Sequence, residues 1–100
     1  MTITYRKFTI NGLLMNVALA GEDNHGPWIL MIHGFPDDHS VWRYQIPALV
    51  NQGFRVIAPD MRGCGDSEIP AERSHYRLDA LIDDLVQLMN QLAIPSVRLV

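Results

Sequence analysis

The chain has 100 residues, 48% of them hydrophobic and 19% charged, with a formal net charge of −3. That balance belongs to a chain that folds around one core and excludes a disordered segment. The Lys and Arg residues are scattered without a basic patch, which argues against nucleic acid as a partner, and the longest apolar run, residues 28–32, is far too short to cross a bilayer. The first eight residues hold no apolar stretch of signal-peptide length, and Cys64 has no second cysteine to pair with. The expectation is a soluble, cytoplasmic protein with no membrane partner.

Residues 3–10 are rich in Thr, Ile, Tyr and Phe and read as a strand. Asn11-Gly12 is a strong hairpin signal, so residues 13–19 read as the returning strand. A polar loop with Gly21, Asn24, Gly26 and Pro27 leads to residues 28–32, a continuous apolar run typical of a strand covered on both faces. After a loop over 33–40, the apolar residues Trp42, Ile46, Leu49 and Val50 keep helical spacing. Pro47 interrupts that stretch, so the spacing predicts a first turn near Val41 and a regular helix from Pro47 to a stop at Gly53. Residues 54–58 form a second buried strand, and residues 59–77 a long irregular loop with Gly63, Gly65 and Pro70. Leu78, Leu81, Ile82, Leu85, Leu88, Met89 and Leu92 make one apolar stripe, the mark of an amphipathic helix ended by Pro95. Asp79, Asp83 and Asp84 lie in its first half, where the helix dipole favours anions. Residues 96–100 begin another buried strand.

Strands alternating with helices after a hairpin imply an α/β fold with a parallel sheet and right-handed crossovers. Two helices cover three parallel strands poorly, so the pattern points to part of a larger domain.

His33-Gly34-Phe35-Pro36 stands at the C-terminal end of a buried strand, where open α/β sheets place ligands. Pro36 has no N–H; Phe35 does, and Gly34 permits close backbone approach. One reading makes the Phe35 N–H a stabiliser of a developing oxyanion. The other is a tight turn capping the strand, with His33 hydrogen-bonded locally, and spacing alone favours it. In Asp60-Met61-Arg62-Gly63-Cys64-Gly65-Asp66-Ser67 the glycines match neither nucleotide-binding pattern. Here positive φ at the glycines, with Asp60 and Arg62 pinning the loop through hydrogen bonds to backbone or to each other, is the better account. Trp42 is a candidate lining residue for a pocket, although a Trp on an apolar helical stripe more often belongs to the core. Nothing near Cys64 marks it as a reactive thiolate.

Taken with Trp42-Arg43-Tyr44-Gln45-Ile46-Pro47-Ala48-Leu49, these two motifs resemble the opening third of an epoxide hydrolase of the α/β-hydrolase superfamily. The resemblance covers nearly the whole chain. His-Gly-x-Pro is shared with haloalkane and fluoroacetate dehalogenases. Phe35 departs from the polar halide-binding side chain typical of the former. His39 stands where many epoxide hydrolases carry an aromatic residue and is reminiscent of the latter.

The resemblance implies an α/β-hydrolase fold, with residues 1–100 forming the N-terminal part of one core domain and ending before the nucleophile elbow. It places the strand after Phe54 and the strand after Ser96 on opposite sides of the Trp28 strand, and the two helices on opposite faces. It implies hydrolysis of a small-molecule substrate, without metal or organic cofactor, through an Asp nucleophile and a His–Asp pair that lie beyond residue 100. Of the family's machinery only the Phe35 backbone N–H maps onto this chain, with Phe35, Pro36 and Trp42 as substrate-binding candidates. A cis Phe35–Pro36 bond that aims the Phe35 N–H into the crevice is expected. A serine esterase and a non-catalytic binding domain on the same scaffold remain alternatives, and the oligomeric state stays open.

Overall fold

The computed structural model describes residues 2–34, 37–70 and 76–100. The chain begins with a hairpin of β1 (Ile3–Ile10) and β2 (Leu13–Ala20). Asn11 and Gly12 both take positive φ, 51° and 80°. That is the requirement of the two-residue turn whose twist matches its flanking strands. The register pairs Ile10 with Leu13 and Phe8 with Met15. On the outer strand Phe8 and Ile10 are buried while Lys7 and Thr9 face water, so β1 is covered on one face only.

Three further strands follow, β3 (Trp28–Leu30), β4 (Arg55–Pro59) and β5 (Arg98–Leu99). The sheet order is β1-β2-β4-β3-β5, with β4 antiparallel to β2 and β3 parallel to both β4 and β5. The strands after Phe54 and Ser96 thus flank β3 on opposite sides, as the resemblance implied. Regular β3 is shorter than the apolar run 28–32. Its pairing nevertheless continues, because the Met31 N–H donates to Ile57 O at 2.9 Å and the Ile32 N–H to Val100 O at 3.0 Å.

Alternation along the strands sorts side chains into two cores. On one face Val17, Leu19, Leu30 and Ile57 pack with Leu88 of α2 (Leu78–Gln91). On the other, Ala18, Ala20, Ile29, Met31, Val56 and Ala58 pack with Ile46 of α1 (Gln45–Asn51). The two crossover helices therefore cover opposite faces. The strand order reverses at β3, with β4 laid down on one side of it and β5 on the other, so its C-terminal end opens the crevice in which folds of this layout hold ligands.

Both helix ends depart from the sequence expectation. A 3-10 turn spans His39–Trp42, and α1 begins at Gln45 rather than at Pro47. Pro47 is the third helical residue, where the N–H it lacks has no intrahelical acceptor in any case. At the far end of α2 the stop is not Pro95 but Ala93, which takes φ 55°. The Ala93 N–H donates to Asn90 O and the Ile94 N–H to Met89 O, a paired closure normally built around glycine.

Candidate functional site at the ends of β3 and β4

β3 and β4 run parallel, so His33 and the residues that follow Pro59 emerge side by side at one edge of the sheet. His33 is 5% exposed. Its Nε2 accepts the Met61 N–H at 2.9 Å, and its Nδ1 lies 2.9 Å from Gly34 O. Acceptance at Nε2 places the ring proton on Nδ1, so His33 is a neutral imidazole with both nitrogens engaged. The local hydrogen bonding expected of His33 is present, but its second partner lies 28 residues away. Gly34 is exposed, and a Cβ built on it meets no atom within 4 Å. The Asp37 N–H donates to Gly34 O at 2.8 Å and closes a tight turn. Phe35 and Pro36, with the expected oxyanion N–H and cis bond, lie outside the described residues.

Asp60 is the hub of this edge and is wholly buried. One carboxylate oxygen, Oδ1, accepts the His39 N–H at 2.8 Å and lies 2.6 Å from His39 Nδ1. The other, Oδ2, accepts Asn16 Nδ2–H at 2.9 Å and the Asp66 N–H at 3.1 Å. Burial alone would raise the pKa of this carboxyl. The hydrogen bonds from Asn16, the His39 and Asp66 backbone and the His39 ring outweigh it and hold the group below the ordinary aspartate range. Ser67 completes the knot: its hydroxyl donates to Asp60 O and accepts the Asn16 N–H at 2.9 Å. Gly65, at φ 51°, lies so close that an added Cβ would stand 2.5 Å from the Asp60 carboxyl carbon. The two glycines do take positive φ, as the loop motif predicted, and here close approach to Asp60 forbids any side chain.

Arg62 is also buried, as expected, but its partner is not Asp60. Arg62 Nε and NH2 donate to Asp84 Oδ2 and Oδ1 at 2.7 and 2.6 Å, a bidentate pair reaching from the loop to α2. The hydrogen bond to Asp84 raises the guanidinium's pKa further, against the opposing effect of burial. Asn11 at the hairpin tip donates to Asp84 at 3.0 Å and to Asp83 at 2.9 Å. Asp84 is therefore a buried anchor rather than an exposed charge placed for the helix dipole.

Asp38, His39 and Asp60 bring three ligand atoms within 4.8 Å of one another. A cation would have to break what is already made there: both Asp60 oxygens are saturated, His39 Nδ1 is bound to one of them, and Asp38 Oδ1 accepts the Ser40 N–H at 2.8 Å. The arrangement is that of a hydrogen-bonded hinge, with Asp38 capping the 3-10 turn. Burial, helped by the nearby Asp60, Asp38 and Asp37 charges, pushes the Cys64 thiol's pKa up, so Cys64 is no reactive thiolate. Trp42 packs on the α1 face against the core that contains Ile46, and its indole Nε1 is buried with no partner among the described residues. It does not line the apolar cavity of about 250 Å³ that opens beside His33 between Ile32, Met61, Cys64, Leu81 and Leu85.

A sequence profile described as the alpha/beta hydrolase fold matches residues 27–100. The chain belongs to the α/β-hydrolase fold family. Among relatives of this α/β-hydrolase chain, epoxide hydrolase 1 of Siraitia grosvenorii is 42% identical over 98 residues, covering 98% of this chain and 30% of that protein. Bifunctional epoxide hydrolase 2 of Rattus norvegicus is 49% identical over 75 residues, 75% of this chain and 14% of the rat protein. The crystal structure of an epoxide hydrolase from Vigna radiata superposes with a TM-score of 0.89 at 41% identity, covering 97% of this chain and 30% of that one. The chain therefore spans less than a third of the length of these relatives, and its likeness to epoxide hydrolases extends over almost all of it.

Sequence reasoning passed over Asn16, and named His39, Ser67 and Asp84 without the partners they have here. Two of them left a signal. Asn16 is the one polar residue in the run Leu13–Ala20, and Asp84 sits on the α2 stripe, three residues after Leu81 and four before Leu88. A polar residue on an apolar face carries a partner more often than not.

Proposed function

We propose that the chain is the N-terminal section of an enzyme that opens small epoxides to diols, with the Phe35 N–H helping to stabilise negative charge that develops on the substrate oxygen or on the ester intermediate. The observation that carries this reading is the 42% identity to an epoxide hydrolase over 98 residues, a span that includes the His-Gly-Phe-Pro turn. The geometry supports it. The turn leaves the sheet at β3, where the strand order reverses, and Val100, just after β5, lies level with Ile32, so a nucleophile carried just after Val100 would stand beside the turn. In such an enzyme an Asp attacks an epoxide carbon and forms an alkyl ester, which a His-activated water then cleaves. This chain's own contribution is the Phe35 N–H and the hydrogen-bonded base formed by His33, His39 and Asp60. The reading includes a cytoplasmic setting, in keeping with the free, buried Cys64.

His39, in place of the aromatic residue, is the feature that favours a second reading, a fluoroacetate-type dehalogenase of the same mechanism. The test is to assay the full-length protein on a small epoxide, a haloacetate and an activated ester with a chelator present. Diol formation that survives the chelator is expected. Turnover of the haloacetate alone would move the assignment to the dehalogenase, and of the ester alone to a serine hydrolase. Inactivity on all three would favour a binding domain.

A further inference from the structure

α2 is apolar over more of its circumference than the core covers. Its polar flank is turned to the hairpin tip, where Asn11 donates to Asp83 and Asp84 at 2.9 and 3.0 Å. The opposite flank carries Leu78, Ile82 and Val86, stacked one helical turn apart and 71%, 52% and 48% exposed. Leu78 and Ile82 form part of one wall of the cavity of about 250 Å³ that Ile32 and His33 also line. The apolar surface continues onto β5. Leu99 pairs in parallel register with Leu30, whose side chain lies in the core beneath α2, so the two point to the same face, and Leu99 is 67% exposed. An apolar trough is therefore left beside α2, over β5, on one face of the sheet.

β5 is an edge strand, so a parallel strand that follows Val100 is added beside it. The two crossovers already present, β3–α1–β4 and β4–α2–β5, step across the sheet in opposite directions and lie on opposite faces, as right-handed connections must. A step outward from β5 repeats the direction of the second and returns to the α2 face. Such a connection takes a dozen or more residues and is usually a helix. The full-length relatives have the length for it, since the match covers only 30% of the epoxide hydrolase from Siraitia grosvenorii. We infer that the segment directly after Val100 in the full-length protein forms a crossover helix whose apolar face lies in this trough, against Leu78, Ile82 and Val86 of α2 and Leu99 of β5. The wall it meets on α2 carries no charge, so the face it presents is aliphatic or aromatic and its charged residues point away from α2. The inference does not depend on which bond the enzyme hydrolyses.

The experiment uses the full-length protein with the photoreactive residue p-benzoylphenylalanine in place of Ile82 and, as a control on the polar flank, in place of Gln87. Irradiation followed by peptide mass spectrometry identifies what each position touches. The expected product at position 82 is a cross-link within one molecule to a peptide from the first thirty or so residues after Val100, roughly the length of a helix with a short loop at each end. Position 87 should give no cross-link to that peptide. A cross-link from position 82 to a second molecule or to a more distant part of the chain overturns the inference, as does a yield no higher than at position 87. Ile82→Asp gives an answer even where the bulky probe disturbs folding, because it sets a charge against the docked helix. Its melting temperature should lie roughly 5 °C or more below that of Gln87→Asp. Failure of Ile82→Asp alone to fold counts as the expected loss. Equal melting temperatures show the flank open to water in the full-length protein and overturn the inference.

Discussion

Removing the Arg62 guanidinium, as in Arg62→Ala, should destabilise the fold heavily without a specific effect on substrate binding. Arg62 is 8% exposed and Asp84 1%, and two bonds of 2.7 and 2.6 Å join them. The substitution leaves a carboxylate enclosed by α2 and the hairpin tip, with the Asn11 amide at 3.0 Å as its remaining described donor. Breaking a buried pair from one side costs about 3–5 kcal/mol, because the surviving charge keeps its desolvation penalty. With a urea dependence of about 1–3 kcal/mol per molar, the unfolding midpoint of the full-length protein should fall by roughly 1 M or more. Replacing both partners, Arg62→Met with Asp84→Leu, removes the penalty together with the pair and should recover most of the loss. Urea titration followed by circular dichroism measures all three species, and KM for the epoxide in the folded single variant should match the parent. The reasoning fails if Arg62→Ala stays within about 0.5 kcal/mol of the parent, the range of an ordinary surface change. It fails equally if the double variant is no more stable than the single one.

Asp60 predicts a pH response. Its folded-state pKa lies below the ordinary value of 3.8, so its ionised form adds stability that is complete above that value and is lost as pH falls through the depressed one. Thermal melts between pH 6 and pH 2.5 or so should show the parent losing stability more steeply than Asp60→Asn, and parallel losses would show that the carboxylate is not the source. Ala93→Gly should raise stability by about 0.5–1 kcal/mol, since an L side chain at φ 55° is strained where glycine is not; a drop in melting temperature would contradict the cap assignment.

How much of this was legible beforehand depends on the range of the interaction. The hairpin, the strand–helix alternation and the α2 stripe follow from local rules, in which adjacent residues share one geometry. Asn11-Gly12 admits the turn by its own φ preferences, and the spacing from Leu81 to Leu88 marks a buried helix face. The Asp60-to-Ser67 loop announced its glycines and its buried charges, since φ above zero and polar residues at a strand end are local facts. Its partners were not announced. Asp84 follows Arg62 by 22 residues, Asn16 precedes Asp60 by 44, and His39 precedes it by 21. Nothing in the intervening chain encodes which donor meets which oxygen.

The α1 start and the α2 stop mark the same boundary at short range. Pro47 reads as a break, yet the first turn of a helix tolerates it, and Ala93 accepts a glycine's conformation because the Ile94 and Leu88 packing and two closing hydrogen bonds outweigh the strain. By itself, then, the sequence determined which segments are strands and helices and that a loop follows β3, because those features are set by periodicity and backbone preference within a few residues. Only the tertiary structure decided that β4 stands between β2 and β3, that Trp42 belongs to the α1-side core, and that Asp60 is the shared acceptor for β2, His39 and the glycine loop. Each of those depends on groups far apart in the chain being forced together by burial, where an unpaired donor or carboxylate would be too costly to keep.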